Sequence, residues 1–381
     1  MADQTDEILT HTIKILRVAA GLRKDAIDVL VELQATLIGK IERYNPDTLK
    51  GARLRALLKQ TDESIAAAYR EVLVNQDAGL RAIAGLEGRF AVKTINGAIG
   101  APLVSVAIPE KLLEAAVDGD TIFGHSAKAW WQAQADDLRF KFRGTMQQAV
   151  LMGETIDQMA RRVRGTKEGE FQDGLIPSGD AGGLIPKKKR EAEALVRSSA
   201  IAVANDARLR SYAEMGDILR GIMWVATLDS RTTDICKALS GKQWSFPDME
   251  PIDHDKVFPG PTAHWNCRST QVSVLKSLDE LAGKKLPSLG DQEVEERMRE
   301  ILEGEGWSKE KAATVKRNMR ASMDGPISRA TTFDDWLKGK PDSFINETLG
   351  PGRARLFREG KVTLSELTDQ TNRPLRLDEL E

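Results

Sequence analysis

Cysteine is scarce in this chain: Cys236 and Cys267 are the only two among 381 residues. Two are too few for a disulfide framework, and in a reducing compartment a pair of thiols is more often free or metal-bound than bridged. A secretory signal is missing too. The opening MADQTDEILTHTIKILR has no basic start, no continuous apolar stretch and no small-residue cleavage site, and no later run is long and apolar enough to span a bilayer. A cytoplasmic birthplace is therefore expected, and the glycosylation sequon at Asn346 carries no weight. Charge of one sign is also lacking: 55 Lys+Arg stand against 57 Asp+Glu, a net charge of -2, so nothing global asks for nucleic acid. The chain contains no His-Glu-x-x-His, no G-x-x-x-x-G-K-[ST], no G-x-S-x-G and no His-x-Glu with Pro-Cys-x-x-Cys.

What is present is helical texture. Hydrophobic residues at 41% and charged residues at 29% describe a globular chain with a sizeable core, long enough for two or three domains. Apolar residues recur at three and four spacings over 8–41, and YNPD at 44–47 breaks the pattern. Helical spacing resumes after 48, with Thr61 to Glu63 offering a helix start, so helical hairpins are expected. The Val, Ile, Gly and Pro of 91–109 predict a short strand or extended link. Residues 110–164 return to helix and carry Trp130, Trp131, Phe140 and Phe142, a cluster read as packing.

The glycine-rich 165–186, with GLIP at Gly174 and Gly183, predicts a flexible loop, and Lys187, Lys188, Lys189 and Arg190 follow. That basic run is either a solvated helix start or a phosphate contact for DNA. A helix to about Gly216 leads into a strand at GIMWVATLDS, then a small unit rich in Pro, Gly, Trp and Cys up to Thr270. Helical spacing over 292–323 and a tail of short helices joined by tight turns complete the chain.

The expected class is mainly α: long helices and helical hairpins, with a small α+β domain containing a Pro-rich His/Cys loop. Its divisions are an N-terminal helical domain (1–90), a linking helical region (91–165), a flexible loop (166–190), a compact domain with its leading helix (191–280) and a C-terminal helical region (281–381).

Both cysteines and two of the four histidines, His254 and His264, fall in the compact unit. Thiolate and imidazole are the donors of a structural Cys2His2 zinc site, and His264-x-x-Cys267 in GPTAHWNCRS is a plausible knuckle. Cys236 and His254, however, form no second short-spaced pair. Two readings stay open: a structural zinc held by Cys236, His254, His264 and Cys267, or a loop pinned by hydrogen bonds and burial with no cofactor. A zinc- or cysteine-dependent enzyme centred on Cys236, His264 and Cys267 is the alternative of another class; it needs a carboxylate, for which Asp229, Asp234 and Asp253 are the local candidates.

The order WVATLDSRTTDICKALSGKQW, a proline-bearing spacer and FPGPTAHWNCRS resembles the minor head proteins of tailed phages typified by the F protein of phage Mu. The matching positions are Thr227, Asp229, Arg231, Thr232, Cys236, Leu239, Gly241, Pro261, His264, Cys267 and Arg268. Where that family usually closes with Cys-Arg-Cys, this chain has Cys267-Arg268-Ser269, one sulfur fewer. The preceding helix and the tail are similar as well, so the resemblance covers roughly 110–381.

It implies a structural, non-enzymatic component of the phage head, made in the host cytoplasm and carried in the virion. It would sit near the portal vertex and act in head assembly, DNA packaging or ejection. The implied partners are the portal protein, capsid or scaffold proteins and packaged DNA, with no membrane while in the head. Asp229, Arg231 and Arg268 are expected to form a buried ion-pair network that holds the motif.

Overall fold

The computed structural model describes residues 4–43, 51–99, 104, 107–165, 183–215, 218–276, 319–322, 325–328 and 331–380. Two long helices come first, α1 (Gln4–Glu42) and α2 (Gly51–Ile99), followed by α3 (Glu110–Asp118), α4 (Ala127–Leu151), α5 (Ile156–Arg164) and α6 (Leu184–Ala213). β1 (Leu219–Val225), α7 (Asp234–Leu239), β2 (Gln243–Ser245), β3 (Pro251–Ile252) and β4 (Thr270–Leu275) form the compact region. A hairpin of β5 (Met319–Ser322) and β6 (Gly325–Ser328) precedes three short helices, α8 (Phe333–Lys338), α9 (Asp342–Leu349) and α10 (Pro351–Arg358). The mainly α class with a small α+β domain is what the sequence texture predicts.

The chain divides into two compact units. One comprises residues 16–82 and 117–200; the other comprises 1–15, 83–116 and 201–381. In the first, Leu30, Leu33, Leu37 and Ile41 of α1 bury against Ile65, Tyr69 and Val72 of α2 and Trp131, Leu138 and Phe142 of α4. The three-and-four spacing of these residues puts them on one stripe of each helix. Of the aromatic cluster on α4, Trp131 and Phe142 are core, Trp130 packs against it and Phe140 is exposed. Ser126 caps α4 by accepting the Ala129 N–H, and Thr155 with Gln158 forms a capping box on α5.

In the second unit an antiparallel sheet of order β3-β2-β1-β4 is built on the buried strand β1. Trp224, Trp244, Ile222, Tyr212, Cys236 and Cys267 share its core with Ala91, Ile95 and Ile99 of α2. A neighbouring core joins Leu228 to Phe333, Trp336, Leu337, Ile345, Leu349, Leu356 and Phe357 of the C-terminal helices.

Four local expectations change. The extended link over 91–109 is helix as far as Ile99, because Ala91, Ile95 and Ile99 recur at helical spacing and bury, which outweighs the modest intrinsic cost of Val, Ile and Gly. Thr61 is inside α2, not at its start; its hydroxyl bonds back to the carbonyls of Leu57 (3.0 Å) and Leu58 (2.9 Å). The glycine-rich loop lies outside the described residues over 166–182, and from Leu184 onward it is helix, with Leu184 and Ile185 buried and Pro186 in the first turn, where no N–H is needed. The helical spacing over 292–323 lies outside the described residues up to 318, and its Met319–Ser322 portion is strand.

Candidate metal centre

α7 starts one residue after Thr233, whose Oγ1 accepts the Cys236 N–H at 3.4 Å. This cap, with Asp234 in the first turn, directs Cys236 inward. The helix stops at Leu239, and Gly241 turns the chain in the left-handed region at φ 81° so that its N–H reaches the Trp224 carbonyl at 2.9 Å.

The second half of the site is the loop at 260–269. Its two ends are held by one side-chain amide: Asn205 Nδ2 of α6 donates to the Pro261 carbonyl (2.8 Å) and to the Ser269 carbonyl (3.3 Å), while its Oδ1 accepts the Thr270 hydroxyl (3.0 Å). Gln271 Nε2 adds a bond to Pro261 O at 3.1 Å. Within the loop the Cys267 N–H donates to the His264 carbonyl at 3.2 Å, with Asn266 at φ 60° between them. Asparagine tolerates that conformation better than other non-glycine residues.

These two pieces bring Cys236, His264 and Cys267 together, with their donor atoms within 4.8 Å of one another. The sulfurs stand 3.7 Å apart, and His264 Nε2 lies 3.1 Å from Cys236 Sγ and 2.8 Å from Thr233 Oγ1. His264 Nδ1 is 2.8 Å from the Trp265 carbonyl, a partner that only an N–H can satisfy. Nδ1 therefore carries a proton, and Nε2 faces Thr233 and Cys236. Both thiols are buried. The Cys267 thiol is drawn well below its ordinary value by a hydrogen bond with Cys236, burial opposing and the imidazole adding to the pull. Cys236 is pushed well above it by Cys267 and by burial. Burial works against a charge on His264, but the hydrogen bond and negative charge of Cys267 lift it above the ordinary imidazole range.

His254 does not join them. Its Nδ1 accepts the Lys256 N–H (3.1 Å), and its Nε2 donates to the Gln243 carbonyl (2.7 Å), so both ring nitrogens are used in holding the turn after β3. Burial pushes its pKa down, as suits a neutral ring.

Around the cluster, Asp229 accepts a two-pronged pair from Arg268 (2.5 and 2.9 Å) and the Thr232 hydroxyl (3.1 Å), and Thr227 Oγ1 donates to the Arg268 carbonyl (3.4 Å). Arg231 departs from the expected network: its side chain is exposed, and its backbone N–H is what meets Asp229 Oδ1. The Asp229–Arg268 pair is also only part-buried. In the basic run, Lys188 is buried, its ammonium placed 2.5 Å from both Asp137 and Glu191, so it is not available to a phosphate. Lys187 and Lys189 are half-buried and Arg190 is exposed.

Sequence reasoning passed over Asn205, Lys237 and Lys256. Lys237 Nζ donates to the Thr348 carbonyl (2.7 Å) and Asp234 (3.0 Å), and Lys256 Nζ to the Thr368 carbonyl (2.5 Å). A polar residue set among alanines and valines was the one available signal for Asn205; nothing local distinguishes the two lysines from solvated ones.

No match to the chain was found among curated proteins, and none among solved structures. Residues 141–272 match the model of the family described as Phage Mu protein F like protein, a stretch that runs from within α4 to within β4 and stops short of the tail over which the resemblance was read. The part of the chain that holds Cys236, His264 and Cys267 is therefore similar to the Phage Mu protein F like family.

Proposed function

We propose that the protein is a structural minor head protein of a tailed bacteriophage, bound near the portal vertex and acting in head assembly, DNA packaging or ejection. The family match over 141–272 carries this reading. The site's chemistry supports a structural role. The cluster contains no carboxylate, Asp229 is taken up by Arg268, and Asp234 is shared by Lys237 and Arg353, so among the described residues no uncommitted carboxylate joins the two sulfurs and the imidazole. Among the described residues no helix is long and apolar enough to cross a membrane.

The partners in this reading are the portal protein, the capsid or scaffold proteins and the packaged DNA. The test is to purify phage heads and ask whether the protein accompanies them in a few copies, and whether the isolated protein is retained by immobilised portal rings. Retention with presence in heads is the expected result. A protein absent from virions that also fails to bind portal overturns it.

A further inference from the structure

The head-protein reading gives no task to the two buried thiols and the half-buried imidazole that meet beside α7. We propose that Cys236, His264 and Cys267 bind one zinc ion, which staples α7 to the loop at 260–269. Two sulfurs and one imidazole nitrogen form a donor set that suits zinc. The spacing is also that of ligands. Two thiolates bound to one tetrahedral zinc, each at about 2.3 Å, stand about 3.8 Å apart, and these sulfurs are 3.7 Å apart. A disulfide would have to draw them in to about 2.05 Å.

The imidazole is oriented as a ligand is. Its Nδ1–H is fixed on the Trp265 carbonyl and its Nε2 faces the sulfurs, the outer hydrogen bond that metal-binding histidines use to hold tautomer and ring plane. At 3.1 Å from Cys236 Sγ, Nε2 is nearer than the about 3.5 Å that sulfur and nitrogen keep on one zinc, so the ring moves out by a few tenths of an ångström as the ion enters. Two hydroxyls share the cluster: Thr233 Oγ1 lies 2.8 Å from Nε2, and the buried Ser269 hydrogen-bonds Cys236. Zinc uptake involves no redox change; each ligating thiol gives its proton to solvent as its sulfur binds the ion. Because 31 residues separate the two cysteines, the ion closes a loop and stabilises the fold.

The test uses the full chain, expressed with zinc in the medium and purified without chelator. Elemental analysis is expected to find one zinc per chain, and a strong chelator is expected to lower the melting temperature. Cobalt in place of zinc should give sulfur-to-cobalt charge-transfer absorption that Cys236→Ser and Cys267→Ser abolish. Should those variants fail to fold, Ser269→Cys supplies the readout: it places a further thiol beside Cys236 and should tighten zinc about tenfold or more against a competing chelator. A chain that holds no stoichiometric zinc, carries iron instead, or has Cys236 and Cys267 joined as a disulfide overturns the proposal. So does a Ser269→Cys variant with unchanged zinc affinity.

Discussion

Arg208 is 1% exposed and Glu87 is 0% exposed, so at the residue scale the second unit carries an ion pair in its interior. Burying charges of this kind is costly unless they are paired and hydrogen-bonded. Arg208 Nε and Nη2 each lie 2.9 Å from Glu87 Oε2, while Nη1 donates to Thr270 Oγ1 (2.7 Å) and the Gln271 carbonyl (3.3 Å); the other carboxylate oxygen has His11 Nε2 at 3.0 Å but no hydrogen bond. Thr270 in turn bonds Asn205, the side chain that holds the loop at 260–269, so the pair is tied to that loop. Arg208→Ala leaves the Glu87 carboxylate buried with one partner fewer, and should cost about 3–5 kcal/mol in urea unfolding. Arg208→Met combined with Glu87→Leu removes both charges and should recover much of that loss. A loss below about 1 kcal/mol for the single variant would show that water reaches the pair.

At the scale of elements, the sheet depends on one missing side chain. Gly221 of β1 pairs with Ser245 of β2, and a Cβ there would come within 2.3 Å of the Trp244 carbonyl oxygen. Backbone cannot yield as a flexible side chain would, so Gly221→Ala pushes β2 away from β1, with an expected cost of roughly 1–3 kcal/mol read as a lower melting temperature. An unchanged melting temperature would mean that β2, a strand of three residues, shifts without cost. Helices were the more legible elements. In α1, Ile8, Ile15, Leu30, Leu33, Leu37 and Ile41 show their spacing without any knowledge of what they bury against. The end of α2 was not legible, because its valines, isoleucines and glycines favour extended chain by local preference and become helical through the core they enter.

For the whole molecule, the family match ends at residue 272, but the second unit continues into the C-terminal helices. Leu228 is buried among Phe333, Trp336 and Leu337, Lys237 and Lys256 end on carbonyls of Thr348 and Thr368, and Arg353 pairs with Asp234. Deleting 331–381 removes the acceptors of two buried ammonium groups, each worth about 1.5–3 kcal/mol, and exposes an apolar face. The shortened chain should melt at markedly lower temperature and be cut within 219–276 by protease that spares the full chain. Equal resistance would show that the matched region stands without its tail. The sequence alone determined the helical class and the small compact unit that contains both cysteines and His264, because periodicity and clustering of rare residue types are local properties. Only the tertiary structure decided that His254 and Arg231 stand apart, that Lys188 lies inside while Arg190 faces solvent, and that Asn205 closes the loop at 260–269. Those roles depend on which carbonyl, carboxylate or apolar face packing brings to a side chain from tens of residues away, and identical letters receive different partners.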